Sequence, residues 1–70
     1  MKLYDILKPY LRLSNNGFTI LTSDFKRYCE YHRYNMSNFH YNIKDELTKM
    51  MLADEINDFT IGERYIVISK

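Results

Sequence analysis

A single cysteine, two glycines and one proline stand among the 70 residues, and the scarcity of the first two removes whole classes of protein. With Cys29 alone there is no internal disulfide, so the stapled scaffolds of small secreted domains are excluded and a reducing, cytoplasmic setting is expected. No apolar run approaches the ~20 residues that a membrane-spanning helix needs. The opening Met1-Lys2-Leu3-Tyr4-Asp5 leads into an amphipathic pattern rather than a secretory signal, so neither membrane nor export is expected. Glycine is confined to Gly17 and Gly62, both read as turn residues, and no glycine-rich phosphate loop can be built from them. Cys29, His32 and His40 fall short of the four ligands of a structural zinc site. Nothing in the sequence places Cys29 beside a free histidine base. The adjacent acids Asp45-Glu46 and Asp54-Glu55 point apart on a helix and make a poor acid/base couple. The expectation is a non-enzymatic protein with no metal, no cofactor and no small-molecule substrate.

What is present is enough to fold. Hydrophobic residues make up 46% of the chain, which suits one small domain over residues 1–70. Leu3, Ile6, Leu7, Tyr10 and Leu11 follow helical spacing; Asp5 is placed to cap this helix, and Pro9 predicts a kink or a late start. Asn15-Asn16-Gly17 ends it, and Phe18-Thr19-Ile20-Leu21 reads as a short strand. Thr22 or Ser23 is the expected cap of a second helix. Phe25, Tyr28, Cys29 and His32 lie on one of its faces, while Arg27, Glu30, Tyr31 and Tyr34 point largely the other way. After a turn at Tyr34-Asn35-Met36, Ser37 is the expected cap of a third helix. Phe39, Ile43, Leu47 and Met50 form its apolar stripe, with Tyr41, Lys44, Asp45 and Thr48 opposite.

The chain closes on Phe59-Thr60-Ile61-Gly62-Glu63-Arg64-Tyr65-Ile66-Val67-Ile68, two alternating runs about a Gly-Glu pair. A type II′ turn with Gly62 at positive φ is expected, pairing Ile61 with Arg64, Thr60 with Tyr65 and Phe59 with Ile66. Phe59, Ile61, Ile66 and Ile68 then share one face. Helix, short strand, helix, helix and two-stranded hairpin is the order of an α+β winged helix-turn-helix.

Net charge is only +1, but it is unevenly spread. Residues 1–34 hold six basic side chains against three acidic, and residues 35–70 hold four against six. A polyanion is therefore expected to meet the first half more readily. The run Phe25 to Tyr34 interleaves cations with rings, a composition suited to phosphate contact and base stacking. If the third helix enters a DNA groove, Lys26, Arg27, Lys44 and Arg64 are the expected phosphate contacts, and Tyr41 and Thr48 the residues nearest the base edges. Lys70 is a further candidate for phosphate. So small a module is expected to act as a dimer or with a partner. The alternative is a protein-interaction module whose contact patch is Arg27, Tyr31 and Tyr34.

Three features carry a family resemblance: Phe25-x2-Tyr28-Cys29; Ser37-Asn38-Phe39 followed by Ile43 and Leu47; and Gly62-Glu63-Arg64-Tyr65-Ile66-Val67-Ile68. The run from Ser23 to Ile68, about two thirds of the chain, resembles the small winged-helix domain at the C-terminal end of phage, plasmid and poxvirus-type primase-helicases. The resemblance implies a role in replication or in regulating mobile-element DNA, with Lys26, Arg27, Lys44 and Arg64 best placed to touch it. The chain carries no ATPase or primase portion, so the resemblance points to a free-standing accessory protein or inhibitor, in the host cytoplasm if viral.

Overall fold

A computed structural model describes residues 2–70. The chain forms α1 (Leu3–Leu13), β1 (Gly17–Leu21), α2 (Thr22–Tyr31), α3 (Phe39–Leu52), β2 (Asp58–Ile61) and β3 (Tyr65–Ser69). The strands make one antiparallel sheet in the order β1-β3-β2, giving a small α+β fold of three helices and three strands. None of the described helices is long and apolar enough to cross a membrane.

The apolar stripes meet where their spacing predicts. Leu7 from α1, Phe25 and Cys29 from α2, and Phe39, Ile43 and Leu47 from α3 are all buried in one cluster, closed from the sheet side by Ile66 and Ile68. The opposite sheet face, with Thr19, Leu21, Thr60, Tyr65 and Val67, is exposed.

The helix ends differ from expectation, because their partners come from elsewhere in the fold. Asp5 does not cap α1. The N-cap is Lys2, without a side-chain bond, and the Leu3 N–H is instead accepted by the Glu46 carboxylate of α3 at 3.1 Å. The helix also starts ahead of Pro9 and runs through it. Proline lacks the N–H that would reach the Asp5 carbonyl, and both residues are exposed, so water can take that carbonyl. Strand β1 runs straight into α2, making Leu21 the N-cap in place of Thr22 or Ser23. Thr22 is spent on the β2–β3 turn: its N–H donates to the Arg64 carbonyl at 2.8 Å and its hydroxyl to the Gly62 carbonyl at 3.0 Å. Ser37 does not cap α3 either. Asn38 holds that position in the left-handed region, and the Asn42 amide donates to the Ser37 carbonyl at 2.7 Å.

Both α2 and α3 end in the same closure, without glycine. Arg33 sits at φ 59°; its N–H donates to Glu30 at 3.0 Å, and the next N–H, from Tyr34, reaches back to Cys29 at 2.9 Å. Asp54, at φ 60°, repeats the pattern: its N–H donates to Met51 and that of Glu55 to Met50. These paired bonds satisfy carbonyls that a helix end would leave open, and they turn the chain sharply. The first turn delivers Tyr34 into the core and the second delivers Ile56.

The pairing of β2 with β3 corrects the expected register. Phe59 faces Ile68, Thr60 faces Val67 and Ile61 faces Ile66. Gly62 is not at positive φ; its N–H donates to the Tyr65 carbonyl at 2.8 Å, leaving Glu63 and Arg64 at the tip. The bonds from Thr22, together with the pairing of Leu21 to Tyr65 in β1, hold the turn in this place. Because the offset is two residues, the faces survive: Ile66 and Ile68 are buried, and Phe59 and Ile61 pack against them half-buried. The glycine that needs its freedom is Gly17, at φ 110°, where an added Cβ would fall 2.0 Å from the Ile68 carbonyl oxygen.

Candidate nucleic-acid interface

The solvent side of α3 presents Tyr41, Lys44, Asp45 and Thr48 around a shallow depression of about 230 Å³. Tyr41 is 72% exposed, and Lys44 and Asp45 are exposed beside it. Thr48 is half-buried, and its hydroxyl donates to the Lys44 carbonyl at 2.7 Å. That leaves Thr48 an acceptor rather than a donor toward any base edge. Asp45 is partnered by Lys49, 3.1 Å away and one turn on. Lys49 thereby offsets a carboxylate that would repel a phosphate backbone. His40 is exposed in the first turn of α3, which holds no acidic residue.

Lys26 and Arg27 do not act together, because neighbouring helical residues point about 100° apart. The Lys26 ammonium lies 5.8 Å from the centre of the Phe39 ring and so leans toward the first turn of α3. Arg27 turns away and pairs with Asp24 at 3.1 Å, both largely exposed. Arg64 is exposed at the tip of the β2–β3 turn, tied by its carbonyl to the start of α2. Lys70 is not free for phosphate: its ammonium donates to the Leu11 and Ser14 carbonyls at the C-terminal end of α1. A cation there complements the helix dipole.

The alternative patch of Arg27, Tyr31 and Tyr34 is not assembled. Tyr31 is 80% exposed, but Tyr34 is only 7% exposed. The Tyr34 phenol donates to Glu46, the carboxylate that also receives the Leu3 N–H. Burial raises the pKa of Tyr34, and the hydrogen bond to Glu46 adds to the shift. Helical projection had placed Tyr34 outside by extending α2 too far; the left-handed Arg33 reverses the chain first.

Cys29 is fully buried, and burial, helped by the Glu46 charge, pushes its thiol up to about 12, far from a reactive thiolate. Among the described residues no three His, Cys, Asp or Glu side chains come together as a metal set. The chain has no match among family models, curated proteins or solved structures.

Proposed function

We propose that this chain is a non-enzymatic winged-helix DNA-binding protein that regulates or assists replication or transcription of a phage, virus or plasmid. In this reading α2 and α3 form the helix-turn-helix, α3 is the element offered to the major groove, and the β2–β3 turn is the wing. The observation that carries it is the strand order β1-β3-β2, with α2 and α3 inserted between the first two strands in sequence. That arrangement leaves one side of α3 uncovered, with Tyr41 and Lys44 exposed on it, and puts Arg64 at the turn tip. Lys26, Lys44 and Arg64 contact phosphates, joined by Arg27 once it leaves Asp24, and Tyr41 and Thr48 lie nearest the base edges. Few contacts per module favour a dimer spanning two half-sites.

The test is binding of the full chain to mixed-sequence duplex, followed by anisotropy across a salt series. Affinity should fall steeply with salt, and Lys44→Ala or Arg64→Ala should each flatten the log–log slope by about one. Absence of duplex binding at low salt overturns this reading. It then favours a protein-interaction module, which the exposure of Tyr31 and the near-neutral net charge of +1 support.

A further inference from the structure

Five aromatic rings touch in an unbroken run: Tyr28, Tyr31 and His32 belong to the cation-and-ring stretch Phe25 to Tyr34, and Tyr10 and Phe18 join them only in the fold. Phe18 of β1 meets Tyr10 of α1 with ring centres 5.5 Å apart, and Tyr10 meets Tyr28 of α2 at 5.1 Å. Tyr28 meets His32 at 4.5 Å, and His32 meets Tyr31 at 5.2 Å. These are the separations of interacting aromatic pairs. Three of the four contacts are edge-to-face and the Phe18–Tyr10 pair is tilted.

Packing accounts for part of this run and not the rest. Phe18 and Tyr28 rest against the core, and the Tyr28 hydroxyl donates to the Ile6 carbonyl at 3.2 Å. Tyr31 has no such role: it stands out from α2, 80% exposed, and meets the run in a T-shaped contact with His32. Tyr10, the second ring of the run, is 37% exposed.

Cations flank the exposed end. Arg27 lies one turn before Tyr31 on the same side of α2, and Arg33 follows His32 directly. Arg33 is exposed and makes no ion pair among the described residues. Of the acids on α2, Asp24 is already matched by Arg27, and Glu30 lies round the helix toward the Lys26 side. Every ring in the run comes from residues 1–34, the half with six basic side chains against three acidic.

We propose that this run is a second nucleic-acid surface, distinct from α3, that takes single-stranded DNA. Unpaired bases stack on Tyr31, His32 and Tyr10, and the backbone phosphates meet Arg33. Rings that bind by stacking accept any base, so recognition is of strandedness rather than sequence. The inference does not require α3 to bind duplex.

The experiment uses the full chain with a fluorescein-labelled twelve-nucleotide oligo(dT), read by anisotropy at low ionic strength. The intrinsic tyrosine emission is a second readout, since the chain has no tryptophan. Tyr31→Ala should weaken oligo(dT) binding at least five-fold, while Tyr31→Phe, which keeps the ring, should stay near the parent. Arg33→Gln should reduce the salt dependence. Tyr31 is exposed, so its variants should keep the parent's circular dichroism spectrum. Duplex binding should be unchanged in Tyr31→Ala, which separates this surface from that of α3. Failure of the parent to bind oligo(dT) overturns the proposal, as does a Tyr31→Ala variant equal to it. So does a Tyr31→Phe variant as weak as Tyr31→Ala, which would assign the effect to the hydroxyl rather than to stacking, or oligo(dT) binding unaffected by salt, which would exclude the phosphate contacts.

Discussion

Removing the Glu46 carboxylate should destabilise the fold far more than the loss of a half-exposed acid ordinarily does. One oxygen receives the Leu3 N–H at 3.1 Å and the other receives the Tyr34 phenol, so three segments distant in sequence are fastened at one group. Losing the acceptor for a first-turn N–H costs about 0.5–2 kcal/mol. Losing a hydrogen bond to a charged group costs about 1.5–3 kcal/mol. Solvent reaches Glu46, so the lower part of each range applies, and Glu46→Ala should cost about 2–3 kcal/mol. For a domain of this size that lowers Tm by about 10 °C or more. Glu46→Gln keeps an acceptor but not the charge and should cost roughly half as much. Urea unfolding followed by far-UV circular dichroism measures all of this, with Tyr34→Phe completing a double-mutant cycle. A Glu46→Ala loss below about 0.5 kcal/mol, or a coupling to Tyr34 near zero, would refute the reasoning.

Gly17→Ala should cost more than about 2 kcal/mol, since it combines an unfavourable φ of 110° with a Cβ 2.0 Å from the Ile68 carbonyl oxygen. Gly62→Ala, where φ is not positive, should cost less in the same unfolding assay, and the reverse order would argue against this strand pairing. Burial raises the Cys29 thiol from its ordinary 9.0 to about 12 and raises the Tyr34 phenol above its ordinary 10.0. The unfolded chain therefore loses these protons first, so stability should hold below pH 9 and fall as the pH climbs toward 12. Urea midpoints across that window check the effect, and Cys29→Ala should flatten the first part of the decline.

The helices and their inward faces were legible because helical periodicity is local. Phe39, Ile43, Leu47 and Met50 announce a buried stripe without reference to the rest of the chain, and all four are buried. The helix ends were not legible. The acceptor for the Leu3 N–H lies 43 residues away in Glu46, and the Thr22 hydroxyl is drawn off by a carbonyl 40 residues on. The hairpin register missed by two residues for the same reason: turn chemistry was read from Gly62 alone, while Thr22 and β1 hold the turn from outside. At the candidate site, simple projection placed Tyr41 and Lys44 outside correctly. It failed at Tyr34, where a single left-handed residue reverses the chain, and at Lys70, whose partners lie at the end of α1. Of the aromatic run, Tyr28, Tyr31 and His32 were legible in the stretch from Phe25 to Tyr34, whereas Tyr10 and Phe18, from α1 and β1, adjoin them only in the folded chain.

The central place of β3 sets the order in which the chain can fold as it is made. Both β1 and β2 pair only with β3, the last of the six elements to emerge from a ribosome. Leu21 waits for Tyr65 through 44 further residues, a delay of several seconds at about 5–20 residues per second. During that interval Phe18 and Ile20 have no sheet to hold them against the core, and the edge of β1 is open. A chain interrupted before Tyr65 would keep its three helical stripes yet close no sheet at all, leaving an apolar, strand-hungry product for chaperones and proteases to recognise.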